Sequence, residues 1–307
     1  MHLAEGVLPI SHALAWSTLA VPTLVWSLRG ERRARADAKG SSVIMAGATS
    51  LLFAATLLPL PVPVVGATSH ICLTPVLALI VGVRRMVWPT FFVLLLQAVF
   101  FAHGGLTTLG ANTLTLGFLG PVMTAGLWAL LPRLGVDEAL SLALACGLGG
   151  LGIYVADAVV LAGALSTVTA PLTTFWTVLL GFAPVQVPLA VLEAVASAGI
   201  VRLVARRRSE LLPSSLRALG GLPIGAASSM CALLLLLFTG CGYEGIDGTV
   251  FGAIAEGAGH PPIESVVDLS QGEFGLAMTI LILFGFGFVA GRSWERLLGG
   301  GGDGLPR

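Results

Sequence analysis

The sequence predicts an all-α polytopic membrane protein of about nine transmembrane helices, with its N-terminus extracytoplasmic and its C-terminus cytoplasmic. Three observations predict it. Hydrophobic residues make up 56% of the chain and charged residues only 10%, whereas a soluble globular chain is roughly a quarter charged. The apolar residues gather into runs comparable with the roughly 20 residues that cross a bilayer core. The 16 lysines and arginines lie between those runs, at positions that can all share one side of a membrane.

The candidate spans are 10–28, 42–60, 70–83, 86–103, 112–131, 139–165, 174–201, 222–240 and 274–291. The first starts after Pro9 and stops at Arg29, and the second follows the basic run Arg29 to Lys39. The third is short, and only Arg84-Arg85 separates it from the fourth. Arg133 follows the fifth span, Arg202 to Arg217 follow the seventh and Arg292 to Arg307 follow the ninth. Counting nine spans from an outer N-terminus puts all these basic runs inside, as lysine and arginine prefer. The same count has a second consequence. It places all five histidines (His2, His12, His70, His103, His260) outside, with Glu5, Glu244, Asp247, Glu256, Glu264, Asp268 and Glu273. An outer face of imidazoles and carboxylates without lysine or arginine suits the capture of cations.

The spans divide into modules. Residues 1–205 form a seven-helix membrane module, 206–221 a basic cytoplasmic linker, and 222–307 a two-helix hairpin around an extracytoplasmic loop, 241–273. Net charge is formally zero, which offers nothing to nucleic acid. There is no GxxxxGK[ST] phosphate loop and no HExxH, and no soluble domain is large enough for an enzyme. The four cysteines have no CxxC spacing. Cys241 ends Leu-Phe-Thr-Gly-Cys, but too far inside the chain for a lipoprotein cleavage box.

Chemistry concentrates at the N-terminus. No basic region precedes the first apolar run, so no cleavable signal is expected, and bulky His2 favours retention of Met1. A Met1-His2 end can chelate a metal through the α-amine, the His2 amide nitrogen and the His2 imidazole, in fused five- and six-membered rings. Three nitrogens in a plane with one open corner suit Ni(II) and Cu(II), not hard ions such as Mg²⁺ that prefer oxygen. The fourth donor is another outer histidine: His70, whose ring Thr68 and Ser69 can orient, or His103, with His12 just inside the first span. A histidine capping a helix end is the plain alternative for each. Asp157 and Glu193 lie within spans, where an ionisable group is costly. They are expected to be protonated, to hydrogen-bond to Gln97 or Gln186, or to line a cation path.

Three segments then point to a family. Met1-His2-Leu3-Ala4-Glu5-Gly6, Gly66-Ala67-Thr68-Ser69-His70 and His103-Gly104-Gly105-Leu106-Thr107-Thr108-Leu109-Gly110-Ala111-Asn112 resemble the CbiM/NikM family over residues 1–205. These are substrate-specific membrane components of energy-coupling-factor importers for cobalt and nickel. Residues 222–307 resemble the small partner protein CbiN, with Glu244-Gly245-Ile246-Asp247-Gly248 at the loop start. The resemblance implies a metal held by Met1, His2 and His70, with His103 supporting and Asn112 holding the inserted terminus. It implies Co²⁺ or Ni²⁺ as transported substrate, with no organic cofactor. It also implies a CbiQ-like coupling protein and CbiO-like ATP-binding subunits as partners in a prokaryotic inner membrane. The segment after His70, Ile-Cys-Leu-Thr-Pro, and Thr115 depart from the family pattern. A rival reading is an ion-coupled secondary transporter working through Asp157 and Glu193; another is a scaffold without substrate.

Overall fold

A computed structural model describes residues 2–37, 41–58, 60–62, 67–165, 170–221, 244–245, 247–263 and 285. The chain is mostly helical. Helix α1 spans Ile10–Asp37, α2 Ser41–Leu57, α3 Thr74–Val81, α4 Val83–Phe100 and α5 Leu109–Leu114. A π-helical turn, Thr115–Leu119, joins α5 to α6, Gly120–Leu130. The two longest apolar helices follow, α7 over Glu138–Ala164 and α8 over Pro171–Arg207. Asp137 caps α7 by accepting from the Ala139 and Leu140 N–H groups, at 2.9 and 3.2 Å. Pro171 opens α8, where its missing N–H costs nothing.

Four described helices are long and apolar enough to cross a membrane: Val83–Phe100, Leu109–Leu134, Glu138–Ala164 and Pro171–Arg207. They correspond to the expected spans 86–103, 112–131, 139–165 and 174–201. Helix α1 is long enough, but Ser11, His12, Ser17 and Thr18 dilute its apolar run, and α2 stops at 17 residues. The expected spans 222–240 and 274–291 lie outside the described residues.

The expected span 70–83 is helical over only part of its length. Its helix, α3, has eight residues, which reach only about 12 Å. Residues 70–73 ahead of it are irregular, and Gly82, at φ 94°, separates α3 from α4. Thr74, Pro75, Val76, Leu77, Ala78 and Val81 are all buried.

The structure also adds three short strands to the expected all-helical fold. Strand β1, Leu60–Val62, pairs antiparallel with β2, Ala67–Ser69, and β2 pairs in parallel with β3, Glu244–Gly245. The register sets Ala67 opposite Glu244 and Thr68 opposite Gly245. This brings the C-terminal segment against the stretch that leads into His70.

Helices approach closely where side chains vanish. A Cβ on Gly110 of α5 would stand 2.4 Å from the Ser17 Cα of α1, and one on Gly147 of α7 would stand 2.9 Å from the Ala190 carbonyl of α8. At the basic end, Arg85 Nε meets Glu31 Oε2 at 2.8 Å, and the Trp88 N–H donates to Ser27 Oγ at 3.0 Å. Two of the basic runs, on α1 and α4, are thereby neighbours. The other ends of the same two helices lead to His2 and His103.

Candidate metal centre

Residues 2–9 fold inward over the top of the helices: His2, Leu3, Val7 and Leu8 are buried. An irregular segment can be buried only if its backbone is satisfied, and side chains from over 100 residues away do this. Asn112 on α5 accepts from the Leu3 N–H through Oδ1 at 2.9 Å and donates to the Leu3 carbonyl through Nδ2 at 3.0 Å. It pairs with Leu3 as a neighbouring strand would. Thr108 Oγ1 donates to the same carbonyl at 2.6 Å. Glu5 Oε2 accepts from the Leu106 and Thr107 N–H groups, and the Gly6 N–H donates to Thr107 Oγ1 at 3.3 Å. The receiving loop needs its glycines. Gly104 has φ 84°, and a Cβ on Gly105 would stand 2.6 Å from the Glu5 Cα.

His103 is carried by this same loop, just past the end of α4. Its N–H donates to the Gln97 carbonyl at 3.2 Å, and Gln97 Nε2 donates to Thr56 Oγ1 at 2.7 Å. His70 follows β2, its Nδ1 facing the Ile71 carbonyl at 3.4 Å. That contact favours the tautomer protonated at Nδ1.

The three imidazoles converge. One ring nitrogen from each of His2, His70 and His103 lies within 4.8 Å of the others. The ring centroids are 4.5 Å apart for His2–His103, 4.8 Å for His2–His70 and 5.2 Å for His70–His103. Nitrogens about 2.0–2.1 Å from a common ion stand ~3–4 Å apart, so a small contraction closes the triad on a metal. Both ring nitrogens of His2 are buried and have no hydrogen-bond partner among the described residues, an arrangement that costs about 1–3 kcal/mol per orphaned group and that a metal would relieve. Burial holds the His2 and His70 imidazoles well below their ordinary range, reinforced by neighbouring positive charge. They stay neutral, the form that coordinates.

Backbone strain gathers here too. Among the described residues, Leu73 at φ 55° and Ala102 at φ 49° are the non-glycine positions with positive φ. Each lies within three residues of a triad histidine and costs roughly 1–2 kcal/mol.

Of the residues singled out from sequence, Met1 lies outside the described residues, and only the backbone of Thr68 is described. His2 and His70 stand together, and His103 stands with them as an equal member of the triad. Asn112 grips Leu3. Ser69 Oγ accepts from Gln186 Nε2 at 3.3 Å, while the His70 ring faces a backbone carbonyl. Glu193 accepts through Oε1 from the Leu73 N–H at 2.8 Å. Its bond is to backbone, where a glutamine partner was expected. Asp157 is fully buried in α7. His12 and His260 fall outside the triad. Sequence reasoning missed Glu5 and Thr108 as clamps and Gln186 as a partner of the His70 segment. Glu5 and Thr108 sit inside the three quoted segments, which is the one signal that could have paired them.

Comparison with known proteins gives the family. Residues 2–211 match the CbiM family, described as the cobalt uptake substrate-specific transmembrane region. A protein named cobalt transport protein CbiM from Geobacter sulfurreducens is 30% identical over 97% of this chain and 90% of its own length. Proteins of the same name from Sorangium cellulosum and Chlorobium limicola are each 35% identical, over 69% and 70% of this chain and 94% and 85% of theirs. Two solved structures share the fold at 24% identity: a truncated transition metal transporter (TM-score 0.58, 66% of this chain, 98% of that one) and a transition metal transporter (0.57, 72%, 98%). By the match over residues 2–211 and its agreement with these relatives, the chain belongs to the CbiM family.

Proposed function

We propose that the chain is the substrate-capturing component of an energy-coupling-factor importer, taking up divalent cobalt or nickel from outside the cytoplasmic membrane of a prokaryote. The observation that carries this reading is the histidine triad, with His2 and His70 buried and His103 half-buried, and within it the two nitrogens of His2 that have no partner among the described residues. The ligand set is the Met1 amine, the His2 amide and imidazole, and His70, with His103 completing or flanking it. The metal is cargo, and the chemistry is ligand exchange. No bond in a substrate is made or broken, so the chain is not an enzyme. A CbiQ-like coupling protein and CbiO-like ATP-binding subunits supply the energy and dock on the basic face. The name shared by the relatives favours cobalt; the planar nitrogen chelate favours nickel.

The reading keeps nine spans with the histidine end outside, residues 1–205 as the metal-binding module, 206–221 as the cytoplasmic linker and 222–307 as the CbiN-like hairpin. The hairpin's outer loop supports it by touching both ligand-bearing segments. Strand β3 pairs beside Ser69, and the Ile263 N–H donates to the Glu5 carbonyl at 2.9 Å. Between these contacts Phe251 stacks on Phe182 of α8 at 4.0 Å. Ion-coupled transport through Asp157 and Glu193 has less support, because Glu193 is engaged with the Leu73 N–H.

Equilibrium binding of Ni²⁺ and Co²⁺ to the purified chain tests the proposal, with one residue added before Met1 as the comparison. The insertion keeps every histidine and moves the amine out of the chelate. Affinity is expected to fall at least about 100-fold, since a whole ligand is lost. Unchanged binding would remove the terminal chelate from the site.

A further inference from the structure

Residues 70–73 connect β2 to α3 without regular structure, so they cannot satisfy their own backbone. Helix α8 does it for them. Gln186 and Glu193 are seven residues apart, about two turns, and so lie along one stripe of the helix. Gln186 Nε2 donates to Ser69 Oγ at 3.3 Å, and Glu193 Oε1 accepts from the Leu73 N–H at 2.8 Å. The Cys72 N–H faces the same carboxylate. His70 lies between the two anchor points, ahead of the left-handed Leu73. Helix α7 makes room for the arrangement: a Cβ on Gly150 would stand 2.5 Å from Glu193 Oε2.

We propose that Glu193 is a positioning residue for metal capture, fixing through the Leu73 N–H where His70 stands relative to His2 and His103. The inference rests on the triad being the metal site. Without the acceptor, Leu73 has a buried N–H with no partner and no reason to keep its left-handed turn. The segment then relaxes and carries the His70 ring with it. A metal site tolerates only about 0.2 Å of error in ligand distance, so a small drift of one imidazole is enough to weaken it.

The test is a Co²⁺ titration of the full chain in detergent, read by affinity, by the d–d absorption bands of bound Co²⁺ and by melting of the metal-free protein. Glu193→Gln retains a side-chain carbonyl acceptor and is expected to bind like wild type. Glu193→Leu removes the acceptor and is expected to bind between about 10- and 100-fold more weakly, the range for groups that orient ligands, with displaced d–d bands. Gly150→Ala removes no polar atom, yet its Cβ displaces the carboxylate and is expected to move affinity and bands in the same direction. If Glu193→Leu does not fold, Gly150→Ala and Glu193→Gln carry the test. Wild-type affinity and bands in both Glu193→Leu and Gly150→Ala overturn the inference, and so does a change confined to metal-free melting. His70→Ala separates the two levels: if it binds like wild type, the triad reading itself fails.

Discussion

The two segments that bring imidazoles to the site, 2–6 and 69–73, solve the same problem with different partners. Both are mostly irregular and at least half-buried, and both borrow hydrogen bonds from side chains more than 100 residues away. Segment 2–6 is gripped by the loop 103–108 and by Asn112, all at the same end of the helices. Segment 69–73 is held by a stripe on α8, a helix that runs on to Arg207 at the basic end. Since the loop that grips His2 also carries His103, those two imidazoles form one unit. His70 is the imidazole anchored separately. The site can therefore adjust chiefly by moving one imidazole against a fixed pair.

The largest effect should come from breaking the fixed pair. Asn112→Leu leaves the Leu3 N–H and weakens the hold on its carbonyl, at about 1–3 kcal/mol per lost buried bond. Metal affinity is expected to fall about 100-fold in an equilibrium titration. A loss under tenfold would mean that another contact holds the terminus.

A pH series comes next. Burial lowers the folded-state values of His2 and His70 from 6.5, so below that pH the unfolded chain binds more protons than the folded one. Stability of the metal-free protein is then complete above about pH 6.5 and falls as the pH drops toward the lowered folded values. Thermal melting should show this slope, and the double variant His2→Gln, His70→Gln should flatten it. Metal affinity falls in acid as well, because the coordinating nitrogens must be free of protons.

The separately anchored ligand gives a smaller effect. Gln186→Leu removes one side-chain bond at the Ser69 end and should weaken Co²⁺ binding about 3- to 10-fold, in line with roughly 1 kcal/mol for a single bond. The smallest effect belongs to the far end. Glu31→Gln loosens the pair with Arg85 and should lower stability by about 1 kcal/mol while leaving Co²⁺ affinity within twofold. A larger change in affinity would show that the basic end and the histidine end are not independent.

How much of this was legible depended on the range over which each feature is encoded. The long apolar helices were readable because length and hydropathy are local properties, and α4, α7 and α8 fall close to their expected positions. The run 70–83 is helical only over Thr74–Val81, because apolar character does not tell a continuous helix from a short one preceded by irregular chain; the glycine at 82 and the proline at 75 were the better guide. Segregation of charge led to the expectation of histidines on one side. It could not say which would meet, since His103 joins His2 through a loop folded back across a separation of about 100 residues. The Asn112 grip was implied by family resemblance alone. The bond from Glu193 to Leu73 spans 120 residues, and nothing local in the sequence marks it.

Pro75 stands in the first turn of α3, where its missing N–H does no harm, but proline in a helix interior breaks the ladder and disfavours helical geometry in the residue before it. Helix α3 therefore cannot lengthen backwards over residues 70–73. That stretch has no second regular form to fall into, so it does not stretch and recoil with α8. It behaves as a catch rather than a spring: seated on α8 its Cys72 and Leu73 N–H groups meet the Glu193 carboxylate, and unseated they can be served only by water.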